Sequence, residues 1–272
     1  MLSEINPQRD SKNGGDVYLS HPEAGFSPDY FAELFQQEIG NYWFRSRNRL
    51  LIQVLQRFFP NASSLLEIGC GTGFVLLGFK QAFPHLQLYG SELFNEGLVF
   101  ANQRLPGVTL LQMDARCIPY EMEFDVIGAF DVLEHIQEDE GVLSQMFHAV
   151  RPGGGILVTV PQHRFLWSIV DKHAFHKRRY SRRELVDKVE RAGFHVIRTT
   201  SFVSLLLPLL LLSRLKRHIT RASFNPLAEY NISETLKDWL EKVLDLERVA
   251  IGRGISFPAG GSLLLIAIRE PR

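Results

Sequence analysis

The hydrophobic pattern of the chain alternates between short apolar runs and longer segments whose apolar residues recur every three or four positions. Runs of the first kind indicate strands and segments of the second kind indicate helices. The predicted strands are residues 64–68, 86–91, 108–113, 124–130 and 156–160. The predicted helices include two between residues 28 and 57, one that begins at 74, and those over 95–104, 138–150 and 233–249. Strands that alternate with helices predict right-handed crossovers and a doubly wound α/β fold with a parallel sheet covered on both faces.

The first strand of this series ends in a glycine-rich turn. Gly69, Gly71 and Gly73 follow the apolar run 64–68 and precede a predicted buried helix. Glycines at these positions remove every Cβ from one side of the turn, so a ligand can approach the backbone and the N–H groups of the helix's first turn. The turn predicts a site for a nucleotide-like ligand, and a tight turn without a ligand is the alternative.

Acidic residues follow the next strands at the edge where such sheets bind ligands. Glu92 ends the second strand and can accept two hydrogen bonds from a ribose diol. Asp114 ends the third strand and can accept from an adenine amino group, although a solvated loop acid is a fair competitor. Glu67 lies inside an apolar strand, and a buried acid needs a partner, which a bound cation or the N–H groups of the turn would supply.

The amino-acid composition indicates a globular protein but does not indicate which ligand it binds. The 272 residues, 45% hydrophobic and 22% charged, can form one large domain or one domain with an elaboration. Thirty basic residues balance thirty acidic ones, so no overall field favours nucleic acid or an anionic membrane. Two cysteines cannot make a disulfide framework, and residues 1–15 contain no apolar signal segment. We therefore expect a cytoplasmic protein.

Five motifs in order resemble the class I S-adenosylmethionine-dependent methyltransferases, of the ubiquinone O-methyltransferase-like type. They are the Glu-Ile-Gly-Cys-Gly-Thr-Gly of 67–73, Glu92, Asp114, the Asp-Val-Leu-Glu-His of 131–135 and the Arg-Pro-Gly-Gly of 151–154. The resemblance covers roughly residues 48–202 and the last strand. A dinucleotide fingerprint would read G-x-G-x-x-G, whereas here the third glycine comes one residue early and position 74 is Phe.

This resemblance implies S-adenosyl-L-methionine as the cofactor and a seven-stranded, Rossmann-like sheet. It places a helix over 181–192, a sixth strand at 195–201 and an antiparallel seventh strand at 262–268. The implied domains are an N-terminal arm and helical lid (1–47), a methyltransferase domain (48–202 with 262–272) and a helical insertion (203–261). The implied cofactor-binding residues are Glu67, Gly69, Cys70, Gly71, Gly73, Glu92, Leu93, Asp114, Ala115, Asp131 and Val132.

The methyl acceptor is expected to meet the loop that follows the fifth strand, residues 161–180. Histidines, a tryptophan and several cations there suggest an acceptor with phosphate or carboxylate, and a solvated basic loop is the alternative. The segment 41–49, with aromatics and three arginines at a predicted joint between two helices, is either a lid or a set of residues packed on the sheet. The predicted acceptor contacts are Trp43, His163, Trp167, His176, Arg179 and Tyr180.

His135 is the predicted general base if the acceptor is a hydroxyl, because it comes just after the fourth strand. It can equally be structural, or join Glu134 in holding a metal, as the Glu-His pair does in the ubiquinone O-methyltransferases that the chain resembles. Two residues do not establish a metal spacing, so no metal is predicted.

The insertion begins with an apolar run, 202–212, that is followed by the cations Arg214, Lys216, Arg217, His218 and Arg221. Such a run is too short for a bilayer span, which needs about twenty residues, but it can form either a peripheral membrane patch or a helix packed on the core. We therefore predict in-line methyl transfer, at oxygen, to a small-molecule or lipid-linked acceptor. Nucleic acid is a weaker candidate because the Asp/Asn-Pro-Pro-Tyr turn of base methylases is missing. The alternatives are an NAD(P)-dependent oxidoreductase and a non-catalytic, membrane-associated S-adenosylmethionine-binding protein.

Overall fold

A computed structural model of the chain describes residues 8–9, 16–18, 30–220 and 233–271, with side chains over 30–213 and 233–271. Its strands form one sheet in the order β1-β2-β5-β4-β3-β6-β7-β9-β8. The strands are β1 (Gln8–Arg9), β2 (Asp16–Tyr18), β3 (Ser64–Ile68), β4 (Gln87–Glu92), β5 (Thr109–Met113), β6 (Phe124–Phe130), β7 (Val150–Pro161), β8 (His195–Phe202) and β9 (Ser262–Ile268).

The predicted seven-stranded sheet is confirmed over β3 to β9. Six of these strands run parallel, and β9 inserts antiparallel between β7 and β8. The short strands β1 and β2 extend the sheet beyond β5, which the sequence did not predict. The Arg-Pro-Gly-Gly segment also differs from expectation, because β7 already begins at Val150 and runs through these residues.

Nine helices accompany the strands over the described residues. They are α1 (Tyr30–Gln37), α2 (Tyr42–Phe58), α3 (Phe74–Ala82), α4 (Asn95–Arg104), α5 (Asp139–Ala149), α6 (Ile169–His173), α7 (Arg182–Arg191), α8 (Leu207–Thr220) and α9 (Glu234–Gly252), with short 3₁₀ turns at Leu133–His135 and Arg164–Leu166. The segment 41–49 was predicted to be a joint between two helices, and this prediction is wrong. Asn41 caps α2 by accepting from the Trp43 N–H at 2.8 Å, so these residues form the first two turns of α2.

Both faces of the central strands β3 and β6 and of the later part of β7 are buried, which explains why these strands have continuous apolar sequences. Along β3, Leu65 belongs to one buried cluster and Leu66 and Ile68 to the other, since successive side chains point to opposite faces. Because β3, β4, β5, β6 and β7 run parallel, their carboxyl ends meet at one edge of the sheet, where the candidate site lies.

The helices between β8 and β9 have mixed surroundings. Leu206, Leu240 and Leu244 are buried in the core cluster beneath α2, whereas Leu209 and Leu212 are exposed. The predicted helix 233–249 is confirmed as α9, although its apolar residues Leu236, Trp239 and Leu246 face outwards. The side chains of Arg214, Lys216, Arg217 and His218, and all of Arg221, lie outside the described part of the chain. Over that part, each helix is too short or too polar to cross a membrane.

Candidate active site

The three glycines of the turn between β3 and α3 have two different structural roles. Gly69, Gly71 and Gly73 all have left-handed backbones, with φ of 64°, 54° and 76°, which side-chain-bearing residues rarely adopt. A Cβ on Gly69 would lie 2.6 Å from Val132, and one on Gly73 would lie 2.6 Å from Leu105. A Cβ on Gly71 would meet nothing nearer than a Phe31 ring carbon at 3.8 Å. Gly69 and Gly73 thus allow close packing, and Gly71 leaves space above the turn.

Glu92, at the end of β4, is bonded directly to this turn. Its Oε2 accepts from the Gly71 N–H at 3.0 Å, and its Oε1 accepts from the N–H groups of Leu93 at 2.8 Å and Phe94 at 3.2 Å. Burial raises the pKa of the Glu92 carboxyl, and these three hydrogen bonds oppose that shift. The structure therefore places the acid that was predicted to bind ribose beside the open glycine.

Glu67 lies beneath the turn and is buried. Its Oε2 has no hydrogen-bond partner over the described residues. Burial raises the pKa of the Glu67 carboxyl well above its usual range; Arg47 opposes this shift, and the nearby carboxylates of Glu38 and Glu92 add to it. The site therefore contains a buried acid whose charge is incompletely compensated.

Cys70 contributes packing to the turn. Its side chain is buried in the core cluster that contains Leu76. Burial, together with Glu67 and Glu92, raises the pKa of the Cys70 thiol well above its usual range. The thiol therefore stays protonated, and a ligand in the turn would meet only the backbone of this residue.

Asp114 follows β5 and is held by Arg116, which the sequence reasoning did not single out. The Arg116 Nε donates to Asp114 Oδ1 at 3.0 Å, and its Nη2 donates to Oδ2 at 2.8 Å. The Arg116 N–H also donates to Asp114 Oδ1, at 2.9 Å. Asp114 and Ala115 are both buried at the edge of the sheet. The carboxylate is thus fixed in place beside the predicted adenine position.

Asp131 joins helix α2 to the end of β6. Arg47 Nη1 donates to Asp131 Oδ2, and the Thr159 hydroxyl donates to the same oxygen at 3.3 Å. The Arg47 guanidinium also lies over the Trp43 ring, 4.6 Å from its centroid. The predicted acceptor contact Trp43 is therefore linked to the predicted cofactor residue Asp131 through Arg47, a residue that the sequence reasoning did not assign individually.

The other two arginines of segment 41–49 face away from the site. Arg45 and Arg49 both form ion pairs with Glu241 of α9, and Arg49 also pairs with Asp245 at 3.0 Å. Arg47 alone of the three points to the carboxyl edge of the sheet. The three arginines therefore have different roles, which their clustering in the sequence does not reveal.

The end of helix α1 is hydrogen-bonded to the glycine turn through Glu38. Glu38 accepts from the Thr72 hydroxyl and from Arg104 Nη1, the latter at 2.6 Å. Phe31 is buried and packs against Phe94, with ring centroids 6.2 Å apart. Since a Phe31 ring carbon is also the nearest atom to the open side of Gly71, α1 lies across the site.

Two of the predicted acceptor residues have structural partners instead. The Tyr180 hydroxyl is buried and donates to Asp139 Oδ2 at 2.6 Å; burial and this contact raise the pKa of Tyr180. Arg179 is also buried, and its Nε donates to Asp171 Oδ1 at 2.6 Å. Both side chains are therefore held in place within the fold, and their contact with an acceptor stays a prediction.

The remaining predicted acceptor residues lie nearer the surface. Trp167 is exposed, and His163 is partly exposed with its ring stacked on Phe165 at 4.9 Å between centroids. Burial, Arg179 and Arg182 lower the pKa of His163. His176 is close to the predicted base His135, with ring centroids 4.8 Å apart. His163 and Trp167 thus lie at the surface, whereas His176 lies with His135 beside the end of β6.

Comparison with known proteins identifies the family. A family model described as a methyltransferase domain matches residues 43–199, more than half of the 272-residue chain. The chain therefore belongs to this methyltransferase domain family. The match begins inside α2 and ends in β8, so it contains every predicted cofactor-binding residue.

The sequence matches to related methyltransferases cover only part of each relative's length. A probable S-adenosylmethionine-dependent methyltransferase of Mycolicibacterium smegmatis is 29% identical over 160 residues, which cover 57% of this chain and 60% of that protein. Trans-aconitate 2-methyltransferase of Acidovorax ebreus is 28% identical over 118 residues, which cover 43% of this chain and 46% of that protein. The chain thus spans about half of each relative.

Among solved structures, phosphoethanolamine N-methyltransferase 2 of Haemonchus contortus, in complex with S-adenosyl-L-methionine, has a TM-score of 0.56 and 21% identity. The match covers 83% of this chain and 53% of that chain. At this identity the similarity shows a shared fold, in agreement with the sheet described above.

Proposed function

We propose that this chain is an S-adenosyl-L-methionine-dependent methyltransferase. The observation that carries the proposal is the open side of Gly71, which lies beside the carboxylate of Glu92 and above the buried Glu67. Membership of the methyltransferase domain family and the names of its relatives support the same cofactor. The comparisons support neither the NAD(P)-dependent oxidoreductase nor the non-catalytic binding protein.

The residues present fit this cofactor in charge and position. Glu92 would accept from the ribose hydroxyls, and Asp114 with Ala115 would lie beside the adenine. The turn at 69–71 would leave room for the methionine part, whose positive groups would compensate Glu67. Asp131 and Val132 would line the remaining side. Leu93, next to Glu92, would contact the adenosine.

The cofactor supplies an activated methyl group, so this chain's residues mainly align the acceptor and exclude water. Trp43 and Arg47 cover the end of β6, and α1 covers the glycine turn. For a hydroxyl acceptor, His135 would take the proton. We infer a small-molecule or lipid-linked acceptor methylated at oxygen, and the small-molecule acceptors named for relatives support the first part of this inference.

A lipid-linked acceptor is favoured by the surface next to the site. Between residues 164 and 177 the chain exposes Phe165, Trp167 and Phe175 together with the cations Lys172 and Lys177. Exposed leucines of α8, at positions 209, 211 and 212, add a second apolar surface. Aromatic and basic side chains that alternate in this way suit the interface of an anionic membrane.

The cofactor is tested by calorimetric titration of the purified chain with S-adenosylhomocysteine and, separately, with NADH. We expect saturable binding of the first ligand and none of the second, and the reverse result would overturn the proposal. Incubation with a radiolabelled methyl donor and fractionated cell extract, followed by identification of the labelled product, then defines the acceptor. Tight cofactor binding without labelling of any lipid, sugar or quinone fraction would favour a non-catalytic role.

Membrane contact is tested by flotation with anionic vesicles of phosphatidylglycerol and phosphatidylcholine at low and high salt. Serine at 209, 211 and 212 should reduce flotation without unfolding the chain, because all three leucines are exposed. Leu206 is unsuitable for this test because it is buried. A matched control replaces the exposed Val99 and Ile255 with serine. If the wild type never floats, or the control loses flotation equally, the membrane proposal is wrong.

A further inference from the structure

A buried carboxylate without a hydrogen-bond partner over the described residues lies beside the candidate site. The side chain of Glu134 is 0% exposed, and neither of its carboxylate oxygens has a hydrogen-bond partner over the described residues. Its backbone carbonyl, in contrast, accepts from the Lys177 N–H at 2.7 Å. Buried polar groups normally have partners, since an uncompensated one costs free energy. The geometry around Glu134 therefore points to a site that binds a ligand.

His176 faces this carboxylate with one ring nitrogen already engaged. Its Nδ1 lies 3.0 Å from Asp171 Oδ1, and its Nε2 lies 4.0 Å from Glu134 Oε1. Asp171 is itself buried and fixed, because it also accepts from Arg179 Nε at 2.6 Å and from the Ser168 N–H at 2.8 Å. A hydrogen bond from Nδ1 to a fixed carboxylate selects the tautomer in which Nε2 can accept or ligate.

His135 completes the group from the turn that follows β6. One donor atom from each of Glu134, His135 and His176 lies within 4.8 Å of the others. These residues come from two segments, 133–135 and 174–177, which the Lys177 N–H to Glu134 carbonyl bond holds together. From the sequence only Glu134 and His135 could be considered as a pair, because His176 was assigned to acceptor binding and lies 41 residues after His135.

We propose that Glu134, His135 and His176 bind a divalent transition-metal ion, with Asp171 orienting His176. Two imidazole nitrogens and one carboxylate oxygen suit zinc-like ions better than magnesium or calcium, which prefer oxygen ligands. A carboxylate behind a ligating histidine is the usual outer-shell arrangement. Bonds of about 2.1 Å require the three donor atoms to move closer together on binding.

Three protein ligands leave a position open on the ion. If the chain transfers methyl groups as proposed above, that position can hold an acceptor hydroxyl and lower its pKa, so that its proton passes to water and His135 acts as a ligand in place of a base. This role rests on the proposed function, whereas the metal site does not. Metal binding and cofactor binding are therefore measured separately, so that either can fail alone.

The test uses the 272-residue chain after chelator treatment and titrates it with Co²⁺, monitored by visible absorption, and then with Zn²⁺ in competition. We expect one Co²⁺ per chain, displaced by Zn²⁺. His176→Ala should weaken binding by more than about 100-fold, and Asp171→Asn by about 10–100-fold, the range typical for outer-shell partners. His195→Ala, which removes an exposed histidine on β8, should bind as the wild type does.

Circular dichroism and unfolding without metal show whether each variant is folded. Glu134→Gln, which keeps the volume of the side chain, serves if His176→Ala does not fold, and it too should lose binding. The absence of a saturable site in the wild type would overturn the proposal, as would wild-type affinity in the folded Glu134 or His176 variant. An equal loss in His195→Ala would also overturn it. Binding of S-adenosylhomocysteine, measured on the same samples, reports on the proposed function independently.

Discussion

Replacing the buried acid Glu67 with glutamine should change how stability depends on pH. Glutamine has nearly the same shape, keeps an acceptor oxygen and carries no charge. In the wild type, burial raises the pKa of Glu67 well above its usual range, with Arg47 opposing and the carboxylates of Glu38 and Glu92 adding to the shift. The charge on Glu67 is thus a cost to the folded, ligand-free protein, and the substitution removes it.

The sign follows from proton linkage. Because the pKa of Glu67 is higher in the folded state than in the unfolded state, the folded chain binds more protons than the unfolded chain at any pH between these two pKa values. The free energy of unfolding therefore falls as pH rises through that interval, by at most about 1.4 kcal/mol per pH unit for one group. Glu67→Gln lacks this loss, so its advantage over the wild type should grow by more than about 1 kcal/mol between pH 5 and pH 8.

Urea unfolding, monitored by tryptophan fluorescence at pH 5, 6.5 and 8, measures this difference. The matched control is Glu123→Gln, which removes an exposed carboxylate and should follow the wild-type curve. If the curves of wild type and Glu67→Gln are parallel over this range, Glu67 is compensated in the folded chain and the reasoning is refuted.

Three further substitutions, the first with a matched control, test the site and its surroundings. Gly71→Val and its control Gly107→Val each place a side chain on an uncrowded left-handed backbone, so both should lower the free energy of unfolding by at least about 1–2 kcal/mol. Only Gly71→Val should abolish S-adenosylhomocysteine binding, measured by calorimetry. Equal affinities of the two variants would contradict this. Glu92→Ala should weaken S-adenosylmethionine binding by about 1.5–3 kcal/mol, and an unchanged Kd would place the ribose elsewhere. Tyr180→Phe should lower the free energy of unfolding by about 1.5–3 kcal/mol, because it removes the hydrogen bond to Asp139, and should leave cofactor affinity unchanged. A variant with wild-type stability would contradict this structural role.

The strands β3 and β6 and the later part of β7 were predictable from the sequence because they are buried on both faces and carry their own apolar runs. The start of β7 was not, since three successive glycines normally interrupt regular structure. Pairing supplies the reason: a Cβ on Gly155 would lie 2.3 Å from the Ala267 carbonyl oxygen of β9. That contact depends on a strand more than a hundred residues away, which local pattern cannot show.

The candidate site was predictable where backbone conformation determines the residue type, as at Gly69, Gly71 and Gly73. It was less predictable where distant partners decide what a side chain does. Arg47 and Arg49 are two positions apart, yet one pairs with Asp131 and the other with Glu241. Tyr180 has the sequence context of an exposed basic loop, but its bond to Asp139 makes it part of the core.

The uncompensated acids also indicate what kind of ligand the site would favour. Glu67 and Glu134 are both buried, and each has at least one carboxylate oxygen without a hydrogen-bond partner over the described residues. Arg47 lowers the pKa of both, but burial outweighs it and raises each well above its usual range. An apolar residue at either position would make the empty chain more stable, so the acids are retained at a cost. A positively charged ligand at each acid would recover that cost on binding. The proposed sulfonium cofactor near Glu67 and the proposed metal ion at Glu134 are both such ligands, so binding of either should stabilise the folded chain in its own titration.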